Sequence, residues 1–251
     1  MMNLVFVRHG QSIWNLENRF TGWVDVGLSD KGEEEAIQAG KTLKELDFIP
    51  EICMTSFLER SKTTANLILK NLNIEDSLEL ERKEIWQLNE RHYGSLQGLN
   101  KLETSKKYGE NQVHLWRRSF TTVPPLAEPG SEHDPNINLV YKEIDYQLPL
   151  GESLKDVVYR VSSTLKNILE SAINSKILVV AHGNSIRAMV KILDNLTDSE
   201  IVDVNIPTGI PLAYNINESS VEKIGYLEDE NKLLKLQKEV ELQSKLNGEK
   251  G

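Results

Sequence analysis

The stretch Leu4-Val5-Phe6-Val7-Arg8-His9-Gly10-Gln11-Ser12-Ile13-Trp14-Asn15 decides how this chain is read. An apolar, strand-favouring run passes straight into Arg-His-Gly. Such a run reads as a buried strand closed by a turn that glycine makes easy. In open α/β sheets, ligands bind at the carboxyl ends of the strands. A histidine at that edge, beside an arginine and followed by Gly10, Ser12 and Asn15, has the parts of an anion site with a nucleophile inside it. The plain alternative is a strand end whose histidine is hydrogen-bonded only for structure.

The pattern recurs far along the chain. Ile177-Leu178-Val179-Val180 is a second buried run, and it ends in Ala181-His182-Gly183-Asn184. Between the two lie the elements that make the first run part of a sheet. A helix starts near Leu28-Ser29-Asp30, with Asp30 and Glu33 at N-cap and N3 spacing and one apolar face through Ala36, Ile37, Gly40, Leu43 and Leu46. A strand near 52–55 ends at Ser56. The helix after it carries Arg60 in its first turn, where a cation suits a shared anion better than it suits the helix dipole. A loop and short strand lead from 73 into Leu88-Asn89-Glu90-Arg91-His92-Tyr93-Gly94. Two short helices fill 100–120, the second bearing Trp116-Arg117-Arg118. Residues 121–151, with Pro124, Pro125, Pro129, Gly130 and Pro135, read as a loop-rich insertion of the kind that forms lids.

An amphipathic helix is expected over 152–171, another after His182, and a turn at Asn205-Ile206-Pro207-Thr208-Gly209 leading into a strand at 212–216. Alternating strands and helices predict an α/β fold: a mostly parallel central sheet flanked by helices on both faces. An α+β arrangement is the alternative, should the strands near Leu88 and Leu212 form an antiparallel edge. The expected organisation is one catalytic domain over 1–227 and a charged, helix-prone tail over 228–251. Leucines at 233, 234, 236, 242 and 246 would let that tail dock weakly or fray.

At 251 residues, 39% hydrophobic and 27% charged, the composition is that of a soluble globular protein. A net charge of -9 argues against a general affinity for nucleic acid or anionic membrane. An anionic substrate would need a local arginine cluster. The single cysteine, Cys53, is expected to pack in the core, and it suits a reducing compartment. No signal peptide and no membrane-length apolar run are visible, so cytoplasm is the expected location.

The polar residues at these strand and helix ends form one chemical set: Arg8, His9, Asn15, Thr21, Gly22, Arg60, Glu90, Arg91, Tyr93, Lys101, Arg117, Arg118, His182, Gly183 and Asn184. Arginine forks onto phosphate or carboxylate with two donors. The sequence has no G-x-x-x-x-G-K-[ST] loop, no G-x-G-x-x-G after a strand, no H-E-x-x-H and no carboxylate–histidine cluster at metal spacing. A metal-free anion site with a histidine nucleophile suits phosphoryl transfer. A neutral imidazole attacks phosphorus if a backbone carbonyl holds its other nitrogen as N–H. Arginines and a second histidine stabilise the spread charge, and Glu90 fits a proton donor to the leaving oxygen. Tyr93 reads equally as a group that orients Glu90 or as packing. His114 and His133 read as solvated or structural.

Arg8-His9-Gly10-Gln11-Ser12-Ile13-Trp14-Asn15 resembles the signature of the histidine phosphatase superfamily. The longer set resembles its cofactor-dependent phosphoglycerate mutase branch: Asn18-Arg19-Phe20-Thr21-Gly22-Trp23, Leu88 to Gly94, Gln97-Gly98-Leu99-Asn100-Lys101, Trp116-Arg117-Arg118, Ala181 to Ser185 and Asn205 to Gly209. The resemblance implies interconversion of 3-phosphoglycerate and 2-phosphoglycerate through a phosphohistidine primed by 2,3-bisphosphoglycerate, without metal. By motif position His9 carries the phosphoryl group, Glu90 is the proton donor and acceptor, and His182, Arg8 and Arg60 stabilise the transition state. Asn15, Thr21, Gly22, Arg91, Tyr93, Lys101, Arg117, Arg118, Gly183 and Asn184 bind phosphate or carboxylate. The partners implied are small phosphoglycerates and further copies of the chain, as a homodimer or homotetramer, with no nucleic acid and no membrane.

Two features depart from that family's pattern: Gln11 stands where many relatives carry glutamate, and the tail is more charged and leucine-bearing. Ser12 and Gly22 match the mutase pattern rather than that of the related bisphosphoglycerate synthases. The rival readings are a phosphomonoesterase using the same His9, and a non-catalytic phospholigand-binding protein.

Overall fold

The computed structural model of the chain describes residues 2–244. The opening run forms β1 (Leu4–Arg8). The other strands are β2 (Ile52–Thr55), β3 (Glu81–Glu84), β4 (Ile177–Ala181), β5 (Pro211–Asn217) and β6 (Ser220–Tyr226). They make one sheet in the order β3-β2-β4-β1-β5-β6. The first four run parallel, while β5 and β6 join antiparallel at one side. The mostly parallel α/β sheet is therefore present, and the strand at Leu212 does open an antiparallel edge.

The helices among the described residues are α1 (Ile13–Leu16), α2 (Asp30–Glu45), α3 (Glu59–Leu72), α4 (Lys101–Tyr108), α5 (Glu110–Arg118), α6 (Leu154–Ala172), α7 (Gly183–Leu193), α8 (Glu200–Asp203) and α9 (Glu230–Ser244). Alternation along the buried strands divides them between the two faces. Leu4, Phe6, Met54, Ile177 and Val179 pack with α6 and α7 residues such as Val157, Val161, Leu165 and Met189. Val5, Val7, Cys53, Leu178 and Val180 pack with Ala39 and Leu43 of α2 and Ala65, Ile68 and Leu69 of α3. Burial pushes the Cys53 thiol up to about 12, so it stays a protonated core group.

Caps fix the helix starts. Ser29, not Asp30, is the N-cap of α2: its hydroxyl accepts from Gly32 N–H at 3.2 Å, and Asp30 and Glu33 lie in the first turn. The α6 helix begins at Leu154, two residues later than the pattern suggests. Ser153 and Asp156 cap it reciprocally, which leaves Glu152 outside the helix and free to pair with Arg160.

The turn after β1 lies hard against α2. A Cβ on Gly10 would stand 2.0 Å from the Gly32 carbonyl oxygen. Both partners there are backbone and cannot swing away. Gly10→Ala should destabilise the fold by about 3 kcal/mol or more, a fall of roughly 6–12 °C in melting temperature for a domain of this size. A calorimetric midpoint within a degree of the wild type would contradict this.

Residues 121–151 form a loop with two short 3-10 turns, Pro135–Ile137 and Leu139–Tyr141. Tyr141 and Leu148 pack on Trp23, beside Phe57, Trp86 and Ile144. The tail expected to be helix-prone is helical over α9, and its remainder, including Leu246, lies outside the described residues.

Candidate active site

Sheet register brings the two His-Gly motifs together. The last pair of the parallel β1–β4 ladder is Arg8 opposite Ala181, so the next residues, His9 and His182, leave the sheet side by side. The His9 N–H donates to the Ala181 carbonyl at 2.9 Å, and the two ring centroids are 4.9 Å apart. His9 Nδ1–H donates to the Gly10 carbonyl at 2.7 Å. A carbonyl can only accept, so Nδ1 carries the proton and the Nε2 lone pair is left for chemistry. Burial, then the charges of Arg60 and Arg8, hold His9 well below the usual histidine range. The ring is neutral and nucleophilic across the physiological range.

A cavity at this strand edge is lined by Arg8, Arg19, Arg60, Lys101, Arg117, Arg118 and Arg187, seven cations, with Glu90 as the one carboxylate among its described residues. Backbone carbonyls fix several of these cations. Arg8 donates to Ile206 O at 2.7 Å, while Arg60 donates to Gly22 O at 2.7 Å and Val24 O at 3.0 Å. Arg118 donates to Asn205 Oδ1 at 2.9 Å. Burial, then the Arg117 and Arg8 charges, hold Lys101 well below its ordinary value. Burial likewise lowers Arg117 to about 10. Buried Arg8 Nε, Arg60 Nε, Thr21 Oγ1 and His182 Nδ1 have no hydrogen-bond partner among the described residues. Crowded cations and orphaned polar atoms fit a ligand of several negative charges rich in oxygen.

Glu90 is held from behind. Its Oε1 accepts from Arg91 N–H at 2.8 Å and from Asn184 N–H, at the start of α7, at 3.1 Å. Its own carbonyl accepts from Trp23 Nε1 at 2.5 Å and Arg160 Nη2 at 3.2 Å. Arg160 also donates to the Gln87 and Asn89 carbonyls and forms a buried pair with Glu152 at 2.7 Å. Glu152 in turn accepts from His92 N–H at 2.8 Å. One buried ion pair thus ties the start of α6 to the whole loop carrying Glu90. Removing either partner of such a pair would strand a buried charge.

The other expected residues divide. Asn15, Thr21, Gly22, Tyr93, Gly183 and Asn184 line the cavity with the cations. Tyr93 OH accepts from Asn184 Nδ2 at 3.4 Å. Burial alone would raise its phenol, but Arg91 and then Arg117 hold it below the ordinary value. Arg91 does not line the cavity. It is fully buried behind Tyr93, 4.5 Å from the ring centroid, and donates to the Trp116 and Arg117 carbonyls, positioning the Arg117-Arg118 pair. Nor does any residue of 121–151 line it, so the lid expected there finds no support in this placement. Tyr141 instead accepts from Asn89 Nδ2 at 2.9 Å, buttressing the Glu90 loop. The residue that reaches the cavity from a late segment is Val240 of α9.

Sequence reading missed Arg187, Arg19 and Asn205, which line the cavity. It also missed Ser56, whose Oγ lies 2.7 Å from His182 Nε2. The signals available were weak: Ser56 follows a strand as His9 and His182 do, and Arg187 follows His182 on the same helix.

His92 is structural. Its Nδ1 accepts from Gly94 N–H at 3.0 Å, its Nε2–H donates to the His133 carbonyl at 3.0 Å, and burial lowers it to about 4. The native state therefore refuses a proton that the unfolded chain accepts below about 6.5. Stability is lost as pH falls from 6.5 towards 4, by up to ~3 kcal/mol from this ring. His92→Asn, which keeps an acceptor for Gly94, should flatten the fall in unfolding midpoint between pH 7 and 4.5. An unchanged slope would remove His92 from the acid sensitivity.

Two strand-edge histidines in contact, one of them lining a cavity with a single carboxylate among seven cations, define a phosphoryl-transfer site of the histidine type. The sequence model of the histidine phosphatase superfamily (branch 1) matches residues 4–144 and 131–210, and the chain belongs to that family. Along nearly its whole length it is similar to the 2,3-bisphosphoglycerate-dependent phosphoglycerate mutases of Treponema denticola and Borreliella afzelii. The first is 48% identical over 236 residues, covering 92% of this chain and 94% of the relative. The second is 47% identical over 253 residues, covering 98% and 100%. Among solved structures, a mycobacterial glucosyl-3-phosphoglycerate phosphatase shares the fold at TM-score 0.69 and 21% identity, covering 91% of this chain and 100% of that one. No group of three or more metal-ligating side chains, and no helix long and apolar enough to cross a membrane, occurs among the described residues.

Proposed function

We propose that this chain interconverts 3-phosphoglycerate and 2-phosphoglycerate through a phosphohistidine on His9, without metal. The observation that carries the reading is the neutral, Nδ1-anchored His9 sharing one cavity with the single carboxylate Glu90 and seven cations. The names of the two bacterial relatives point the same way. The orphaned donors and the excess of cations fit 2,3-bisphosphoglycerate, held by Arg8, Arg60, Lys101, Arg117 and Arg118 with Asn15, Thr21, Gly22, Gly183 and Asn184. When bound, it supplies the phosphoryl group that primes His9.

With His9 phosphorylated, Glu90 takes the proton from the free hydroxyl of bound 3-phosphoglycerate. That oxygen bonds phosphorus as the N–P bond to His9 breaks. In the mirrored step His9 Nε2 takes the phosphoryl group from the other carbon, and Glu90 returns its proton to the oxygen released. His182, Arg8 and Arg60 hold the charge on the equatorial oxygens. Arg91 and Tyr93 act through neighbours, Arg117-Arg118 and Asn184. The α9 helix, rather than 121–151, excludes the water that would hydrolyse the phosphohistidine.

We infer also a catalytic domain over 1–227 with a charged tail over 228–251, working in the cytoplasm as a homodimer or homotetramer. Family resemblance supports the assembly, and sedimentation would test it. The function is tested by converting 3-phosphoglycerate in excess EDTA, with and without trace 2,3-bisphosphoglycerate. Turnover that needs the bisphosphate and ignores the chelator is expected. Phosphate release without 2-phosphoglycerate would move the protein to a phosphatase.

A further inference from the structure

A carboxylate outside the cavity reaches His9 through a single peptide. Helix α2 lies against the turn after β1: a Cβ on Gly32 would stand 2.1 Å from the Gln11 carbonyl oxygen. Glu35, one turn further along α2, meets the Gly10–Gln11 peptide. Its Oε2 accepts from Gln11 N–H at 2.8 Å. The carbonyl of that same peptide, on Gly10, accepts from His9 Nδ1–H at 2.7 Å. The series is therefore Glu35 carboxylate, Gln11 N–H, Gly10 C=O, His9 Nδ1–H. Its direction is fixed, because a backbone N–H only donates, and a carbonyl and an ionised carboxylate only accept. The preceding peptide is held as well. Gly10 N–H donates to Thr64 Oγ1 at 3.1 Å, and the Thr64 hydroxyl donates to the Arg60 carbonyl at 2.8 Å.

Glu35 is mostly screened from solvent: its side chain is 16% exposed, and its other oxygen, Oε1, lies 3.8 Å from Lys31 Nζ. It does not line the cavity that holds Glu90 and the cations. Burial lowers Arg8, and the charges of Glu90 and then Glu35 offset this. An anion on a peptide N–H draws that proton and pushes electron density onto the carbonyl oxygen, which strengthens the hydrogen bond at the other end. The effect falls on His9. A phosphoryl group attached at Nε2 leaves the ring cationic, and Nδ1–H then needs a strong acceptor. Burial and the charges of Arg60 and Arg8 oppose that cation, while the Gly10 carbonyl favours it.

We propose that Glu35 is a positioning residue for the nucleophile: through the Gly10–Gln11 peptide it holds His9 Nδ1–H on the Gly10 carbonyl and stabilises the cationic ring of phosphorylated His9. The proposal rests on His9 as the group that takes up the phosphoryl group, and it holds equally for a mutase or a phosphatase.

The test pairs 1H–15N NMR of the free full chain, labelled at histidine, with single-turnover kinetics of the wild type, Glu35→Gln and Glu35→Ala. Glutamine keeps an oxygen for Gln11 N–H without the charge. Alanine, a good helix former, leaves that N–H to water. The His9 Nδ1–H proton should lie far downfield in the wild type and move upfield in both variants. Phosphorylation of His9 by 2,3-bisphosphoglycerate should slow about tenfold in Glu35→Ala and less in Glu35→Gln. Hydrolysis of the phosphohistidine, followed with no acceptor present, should instead quicken, because the cationic ring has lost its support. KM for 3-phosphoglycerate should not rise, since the charge removed is negative and lies outside the cavity. Lys31→Gln, which changes only the partner of Oε1, should match the wild type in every reading. A variant that slows formation and hydrolysis alike, or one with the proton and both rates unmoved, would overturn the proposal, and either variant decides if the other does not fold. A wild type that 2,3-bisphosphoglycerate does not phosphorylate would fail the proposed function, while the proton shift would still show whether Glu35 acts on His9.

Discussion

His9→Ala should leave a folded protein that binds phosphoglycerates and turns none of them over. The loss expected is at least ~10⁴-fold in kcat, the scale seen when a covalent nucleophile is removed. No neighbour can substitute for it. His182 Nε2 is engaged by Ser56, and it is His9 whose other ring nitrogen is held by the Gly10 carbonyl. The seven cations are untouched by the change, so affinity for 3-phosphoglycerate, measured by titration calorimetry, should stay within a few-fold of wild type. Intact-protein mass spectrometry after exposure to 2,3-bisphosphoglycerate should show one added phosphoryl group on the wild type and none on the variant. A variant that still takes up the group, with more than about 1% of wild-type turnover, would place the nucleophile elsewhere.

Glu90→Gln should separate proton transfer from binding. Glutamine keeps an oxygen where Oε1 accepts from the Arg91 and Asn184 N–H groups, so the loop and the start of α7 should not move. What is lost is the exchangeable proton, and with it about 10²–10⁴-fold in kcat. Removing the one carboxylate of the cavity wall should, if anything, tighten anion binding. Single-turnover phosphorylation of His9 and steady-state turnover should fall together. Unchanged turnover would take Glu90 out of the mechanism, whereas lost binding would make it a structural residue.

The sheet and its catalytic edge were legible because burial writes itself plainly. Val5 to Val7 and Ile177 to Val180 have apolar surroundings on both faces, and both runs stop at His-Gly. What local pattern cannot contain is that His9 and His182 touch, since this depends on pairing across most of the chain. The edge strands were faint for the opposite reason. Glu81-Arg82-Lys83-Glu84 is mostly exposed and uniformly charged, and 220–226 is largely exposed, so neither shows the alternation of a half-buried strand. Ser29 and Asp30 are both good N-caps, and only geometry chooses between them. Arg187 and Arg160 were passed over because arginine on an amphipathic helix reads as its wet face. Here the Ile201 and Val202 carbonyls of α8 and the Glu152 carboxylate draw them inward. Arg91 misled in reverse: beside Glu90 it looks like a ligand, yet it lies outside the cavity lining and its Nη2 donates to α5 carbonyls.

The placement of α9 bears on how the protein can be handled in the laboratory. It follows β6 after only a few residues and brings Val240 to the cavity wall. A purification tag or fluorescent fusion attached beyond α9 would load the helix that contributes Val240 to the cavity wall. The start of β1 is at the other end of the strand from His9, about 16 Å away by strand rise, and Asn3 is anchored there to the Ala172 and Ile216 carbonyls. Extensions belong at the amino end, and the kinetics of a carboxyl-terminal fusion would report on the fusion as much as on the enzyme.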